Sequence, residues 1–471
     1  MRIRSFIVLA SALCLAPLLA VAAKQSAVAS QSKPNIILIF ADDLGYGDLG
    51  CYGGPVATPT LDRLAAEGLR ATDCLVAANV CGPSRAALMT GRYPMRAGHP
   101  ISRHDTPKYA EYGIAPEEVT MAELLKSAGY YTKIVGKWHL GFHVEGSHPL
   151  DAGFDDYLGL HSNFVPQIDD ATTLYHNHDV VEKDIAFEKV TQRYTDEVVD
   201  FIQGEHEAPF FIYFAHHIAH SPILPSQPFK GSSGIKGREG NYADFVLELD
   251  ASVGRVREAV EAAGLTENTL IVFLSDNGPA RDGSAKPLLG GKYVTMEGGH
   301  RVPAIFNWPG QIPAGQVSDA MISSMDLLPS FAGLAGAALP QNVTLDGTNI
   351  FDLLSGKTEQ SPRDYFYYYN GVHLQAVRNE KWKLHFPRTA KEQPYWAKKD
   401  SGQRVYTTLK QPLLFRMDSD AGEKKNVYAQ HPEIVAELSK VADRARAELG
   451  DIDRNGSDQR PHGLENPQDK K

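Results

Sequence analysis

A thiol stands one helical turn before a fixed positive charge in Cys81-Gly82-Pro83-Ser84-Arg85. The pair has the makings of a nucleophile site with an anion clamp. Pro83 suits a first helical turn and Ala86-Ala87-Leu88-Met89 are good helix formers, so Cys81 is expected at or just before a helix N-terminus, where anions are attracted. The bland alternative is a buried core cysteine beside a capping serine. Four further clusters carry groups able to do chemistry: Asp42-Asp43, Lys137-Trp138-His139, His216 to His220, and Asp276-Asn277. Asp42, Asp43, Asp276 and Asn277 offer oxygen ligands alone, which favours a hard cation such as calcium, with magnesium as the alternative.

Each of these clusters follows an element that can position it. Asn35 to Ala41 is a short continuous apolar run, the pattern of a strand buried on both faces, and it ends at Asp42. Similar runs at 131–135, 210–215 and 270–274 precede the other three clusters. Helical patterns at 61–67, 121–128 and 242–263 separate them. The alternation predicts an α/β fold with a large, mainly parallel sheet sandwiched by helices. Ligands of such sheets bind beyond the carboxyl ends of the strands, so the clusters are expected to share one cleft.

From about Arg363 the pattern changes. Short strand-like runs at 365–369, 374–378 and 382–386 are joined by Asn370-Gly371 and Asn379-Glu380, and an amphipathic helix is expected over 432–449. The predicted organisation is a signal peptide at 1–22, a catalytic domain at 34–362, a small C-terminal antiparallel sheet plus helix at 363–450, and a loose polar tail at 451–471.

Residues 1–22 read as a secretory signal because Arg2 and Arg4 precede an apolar run that ends in Ala20-Val21-Ala22. The mature chain is then expected outside the cytoplasm, periplasmic or secreted, or on a lysosomal or secretory route in a eukaryote. No later apolar run is long enough to span a bilayer. Loss of Arg2 and Arg4 takes the formal charge of −10 to −12, with no long basic run to compensate, which argues against nucleic acid as a partner. An acidic chain that binds an anionic substrate must gather positive charge locally. Three cysteines remain after cleavage, so Cys51 and Cys74 are candidates for a disulfide if Cys81 has another fate.

Cys81 to Arg85 matches the C-x-P-S-R signature of the type I sulfatases, within the alkaline phosphatase superfamily, and the resemblance extends over most of the mature chain. Ala41-Asp42-Asp43-Leu44-Gly45-Tyr46-Gly47-Asp48 resembles the first metal-binding segment of that family. Gly136-Lys137-Trp138-His139-Leu140-Gly141, Ser275-Asp276-Asn277-Gly278 and Gly291-Lys292-Tyr293-Val294-Thr295-Met296-Glu297-Gly298-Gly299 resemble its later segments in the family order. The arylsulfatase and N-acetylgalactosamine-sulfatase branch is the most similar. The resemblance implies conversion of Cys81 to formylglycine by a maturation enzyme, calcium held by Asp42, Asp43, Asp276, Asn277 and the modified Cys81, and attack on sulfur by a geminal diol that forms a covalent sulfo-enzyme. It further implies Arg85 holding the formylglycine, Lys137 and Lys292 neutralising sulfate oxygens, His139 taking a proton from the diol, and His220 protonating the leaving alcohol.

Ser162 matches a sulfate-contacting position loosely. Arg103, His104, His161 and His178, in a histidine-rich stretch between the motifs, are candidates for recognising polar groups of a sulfated carbohydrate or aryl sulfate. Two other readings stay open: a phosphodiesterase or phosphonate hydrolase on the same scaffold, and a protein that binds sulfated glycan without turnover if Cys81 is unmodified. The sugar, the sulfate position, exo or endo action and the oligomeric state have no motif to carry them.

Overall fold

Strand β1, Asn35–Ala41, is buried along its whole length because alternate side chains feed two cores. Ile36, Leu38 and Phe40 pack on one face of the sheet, and Ile37, Ile39 and Ala41 on the other. The structure is a computed structural model that describes residues 33–102, 112–162, 171–389 and 407–461. The proposed signal at 1–22, together with Arg103 and His104, lies outside the described residues.

The remaining strands of the large sheet are β2 (Leu69–Leu75), β3 (Tyr131–Gly136), β4 (Asp156–Gly159), β5 (Leu174–His176), β6 (Asp179–Glu182), β7 (Phe210–Ala215), β8 (Thr269–Ser275), β9 (Arg301–Asn307), β10 (Gln316–Ser318) and β11 (Ile322–Ser323). They run in the order β10-β2-β9-β8-β1-β7-β3-β4-β5-β6, with β11 also paired to β2. The central run β8-β1-β7-β3-β4 is parallel throughout. Helices Cys81–Thr90, Met121–Ser127 and Leu327–Ala335 cover one face, while Pro59–Ala66, Phe187–Ile202 and Gly237–Ala262 cover the other. Strand β9 contains Pro303 between two neighbours, a position proline normally avoids. The register of β2 against β9 shifts between Ala71 and Cys74, so a bulge falls opposite the residue that has no N–H to donate.

A second, antiparallel sheet contains β12 (Phe366–Asn370), β13 (His373–Arg378), β14 (Trp382–His385) and β15 (Leu413–Arg416) in that order. Helix Pro432–Leu449 lays Leu438, Val441, Ala442, Ala445 and Leu449 against it. Of the tail expected to be loose over 451–471, residues 462–471 lie outside the described residues. Over 451–461 it is docked: Arg460 pairs with Glu117 and Glu118, and Arg96 is held by Asp346, Glu448 and Asp458.

Cys51 and Cys74 are free thiols, not the disulfide considered from their number. Cys74 belongs to one core and Cys51 packs against the other, so the sheet separates them. Among the described residues no helix is long and apolar enough to cross a membrane.

Candidate active site and metal centre

The carboxyl ends of β1, β3, β7 and β8 meet at one edge, and the backbone ties them together. Asp276 N–H donates to the Ala41 carbonyl (3.0 Å) and Asp42 N–H to that of Ile218 (2.9 Å). Asp43 takes a left-handed conformation (φ 62°), and its N–H donates to Asp276 Oδ1 at 3.0 Å. His139 and Tyr293 share this sign of φ (61° and 78°), so three of the six non-glycine residues of positive φ among the described residues lie in this site. Gly136 closes β3 with φ 114°, and a Cβ there would stand 2.0 Å from the Ala215 carbonyl oxygen. Glycine is therefore required where the chain turns to deliver Lys137.

Cys81 is the first residue of helix Cys81–Thr90, as expected, and is 1% exposed. Its Sγ lies 3.2 Å from Lys292 Nζ, 3.5 Å from Asp42 Oδ1 and 3.9 Å from Asp43 Oδ1. Burial pushes the thiol up to about 12 despite Lys137 and Lys292 nearby. At neutral pH the group is a neutral thiol and a poor nucleophile.

Arg85, fully buried one turn on, donates to Asp276 Oδ2 (2.8 Å), to the Tyr213 hydroxyl (3.1 Å) and to the Lys137 carbonyl (3.3 Å). Lys137 Nζ meets Asp42 Oδ2 at 2.7 Å, and Lys292 Nζ meets Asp43 at 2.6 Å. The local positive field that an acidic chain requires is thus present. Burial opposes the charge on Asp42, yet Lys137, His220, Arg85 and Lys292 hold its carboxyl well below the usual range. Asp276 moves the other way, up to about 7, through burial and the neighbouring Asp42 charge. Carboxylates packed this closely cannot all ionise easily without a further cation.

The donor set meets that need. Ligand atoms of Asp42, Asp43, Cys81 and Asp276 all lie within 4.8 Å of one another. Asn277 Nδ2 donates to Asp43 Oδ1 at 2.8 Å, while its Oδ1 is buried without a hydrogen-bond partner. An orphaned carbonyl oxygen beside three carboxylates suits a hard divalent cation.

His220 places Nε2 3.7 Å from Asp43 Oδ2, and its Nδ1 is 2.7 Å from the Ser221 carbonyl, which fixes the ring. Burial lowers its pKa against the pull of Asp42 and Asp43. His139 is buried, and its N–H donates to the His161 carbonyl at 2.8 Å. Ser162 joins Asp42, Lys137 and His220 around one cavity that Phe187, Tyr194 and His217 also line. His161 is fully buried, with its ring against Phe142 and His143, and His178 is exposed, stacked on His148 at 4.2 Å. Tyr213 escaped sequence reasoning because it sits inside an apolar strand. Phe187 and Tyr194 escaped because they lie on a helix with no motif.

Comparison with known proteins places this geometry. The family model "Sulfatase" matches residues 34–337, and "C-terminal region of aryl-sulfatase" matches 361–462. N-acetylgalactosamine-6-sulfatase of Canis lupus familiaris is 38% identical over 442 residues, covering 86% of this chain and 83% of the relative. Human (Homo sapiens) arylsulfatase A is 39% identical over 456 residues, 87% of each. The crystal structure of Ps i-CgsB in complex with k-i-k-neocarrahexaose superposes with a TM-score of 0.78 at 31% identity, over 92% of this chain and 94% of that one. Its α/β sheet, separate C-terminal sheet and matched length make this chain a member of the sulfatase family, and it is a sulfuric ester hydrolase.

Proposed function

We propose that the protein removes sulfate from a carbohydrate through a formylglycine made from Cys81, beside a calcium ion held by Asp42, Asp43, Asp276 and Asn277. The observation that carries this reading is the buried Cys81 side chain, set among the carboxylates of Asp42 and Asp43 on one side and Lys292 on the other. Hydrated formylglycine at position 81 would supply a pair of geminal hydroxyls, one to attack and one to release the product. Lys137 and Lys292 neutralise the sulfate oxygens as charge moves toward the leaving oxygen. Arg85 anchors Asp276 and so fixes the acidic side of the site. His139 takes a proton at the nucleophile, and His220 gives one to the departing alcohol. Ser162 contacts sulfate from the cavity wall, and His178, Arg103 and His104 recognise polar groups of the sugar, whereas the fully buried His161 supports His139 through its carbonyl. Residues 34–362 carry the chemistry, 363–450 form the C-terminal subdomain, and the signal at 1–22 exports the chain.

A carbohydrate substrate is supported by the N-acetylgalactosamine-6-sulfatase relative and by the neocarrahexaose complex of the similar structure. Purified, aldehyde-bearing enzyme should cleave 4-nitrophenyl sulfate faster than bis(4-nitrophenyl) phosphate and release sulfate from sulfated galactosamine. Faster phosphodiester cleavage would overturn the assignment. Binding of sulfated glycan with no turnover of either ester would favour the non-catalytic reading.

Removal of the cation gives an independent check. Calcium at about a hundred times its Kd should stabilise the folded protein by ~2.7 kcal/mol. Thermal melts after chelation should therefore shift down and recover with calcium, and Asn277→Ala should need more calcium for the same recovery. A melting temperature indifferent to chelation and to calcium would contradict the metal assignment.

A further inference from the structure

Lys292 is followed by a segment, Tyr293 to Glu297, that the C-terminal sheet grips at successive points. Asn370 Nδ2 of β12 donates to the Tyr293 carbonyl at 3.0 Å. Thr295 Oγ1 donates to Gln375 Oε1 of β13 at 2.9 Å, and Lys383 Nζ of β14 donates to the Thr295 carbonyl at 2.9 Å. Glu297 ends the segment in a buried ionic cluster, where Arg378 (2.6 Å), Lys383 (2.9 Å) and the Tyr368 hydroxyl all reach its carboxylate. Its own N–H donates to Glu423 Oε2 at 2.7 Å, and Arg378 also binds Asp73 of β2.

The near side of the same segment faces the reaction centre. Tyr293 N–H donates to the Asn79 carbonyl (3.0 Å), two residues before Cys81, and Lys292 N–H to that of Pro279 (2.8 Å), two residues after Asn277. Gly278 N–H donates to the Gly299 carbonyl, and a Cβ on Gly278 would stand 1.7 Å from the Gly298 carbonyl oxygen. The lysine is thus suspended between the metal segment and the second sheet, and the residue that follows it, Tyr293, has positive φ. Glu297, Arg378 and Lys383 are fully buried, and buried salt bridges are weak evidence for stability because desolvation offsets their attraction. A geometric role accounts for such a cluster better than a stabilising one.

We propose that the C-terminal sheet is a positioning platform for Lys292, in which Asn370, Gln375 and Lys383 set the place of its ammonium group by holding the backbone and side chain of Tyr293 to Thr295. The proposal rests on the reading of Lys292 as a sulfate-neutralising group. Asn370, Gln375, Lys383 and Thr295 are positioning residues, since they act through Lys292.

The test couples each contact to the lysine. In aldehyde-bearing enzyme, with rates taken per aldehyde, Asn370→Ala and Thr295→Val should each lower kcat on 4-nitrophenyl sulfate about tenfold, since misplacing a catalytic group by about 1 Å costs up to ~100-fold. Thr295→Ser, which keeps the hydroxyl, should restore the rate. Calorimetric titration with inorganic sulfate on a Cys81→Ala background, where no turnover is needed, should show the same variants weakening the anion. Both effects should vanish once Lys292→Ala is also present. Losses that persist undiminished in the Lys292→Ala background, or variants that match the parent in rate and sulfate affinity, overturn the platform. An aldehyde-bearing wild type that cleaves no sulfate ester sinks the parent reading instead, so the two failures are told apart.

Discussion

Cys81→Ala is expected to lose at least about 10⁴-fold in kcat on aryl sulfate, since removing the nucleophile from a group that works as a unit costs nearly the whole catalytic gain. The same change should leave the fold standing. Cys81 is a small buried side chain, and its loss to alanine falls near the ordinary cost of a core substitution, about 1 kcal/mol. Cys81→Ser separates the chemistry further, because a single hydroxyl lacks the second oxygen needed to expel sulfate and restore the starting group. That variant should resemble alanine in turnover. A Cys81→Ala protein that melts far below the wild type would restore the core-cysteine alternative, and one that keeps its rate would remove Cys81 from the mechanism.

Lys137→Ala carries the second largest effect, a fall of about 10²–10³ in kcat/KM, by analogy with the loss of one preorganised donor to a developing anion. Lys137 reaches the site from a glycine-delivered turn and holds Asp42 at 2.7 Å. Lys137→Arg should recover little, because a planar fork does not replace a compact ammonium at this depth. Steady-state kinetics on aryl sulfate, with aldehyde content and melting temperature measured on the same samples, read this directly. Wild-type kcat/KM in Lys137→Ala would exclude the lysine from charge neutralisation.

The parts of the site that were legible in the sequence share one physical reason. Strands β1, β3, β7 and β8 are buried on both faces, so they appear as continuous apolar runs, and the polar residues that interrupt them mark the strand ends. Asp42, Lys137, His220 and Asp276 could therefore be placed at one edge before any coordinates. Strand β2, Leu-Arg-Ala-Thr-Asp-Cys-Leu, gave no such run, because it mixes polar side chains such as Arg70 and Asp73 among its apolar ones. Strand β9 was masked by Pro303, whose missing N–H is accommodated by the bulge opposite.

Long-range pairing was the other blind spot. Arg378 and Asp73 are 305 residues apart, and nothing local to either predicts the bond that joins the two sheets. Histidine enrichment likewise gave no information on exposure. His161 and His178 lie in one stretch, yet one is fully buried with its carbonyl supporting His139, and the other is at the surface. Tyr213 reads as one more apolar strand residue, although its hydroxyl receives a hydrogen bond from Arg85.

The central claim is that the residue doing the chemistry is not the cysteine written in the sequence but its oxidised product. Mass spectrometry of the peptide spanning Ala78 to Arg85, from protein made in its native host, tests this most directly. The account predicts a residue 81 whose mass is that of cysteine less hydrogen sulfide plus oxygen, trapped as a hydrazone by a carbonyl reagent. An active enzyme whose Cys81 is an unmodified thiol would contradict it.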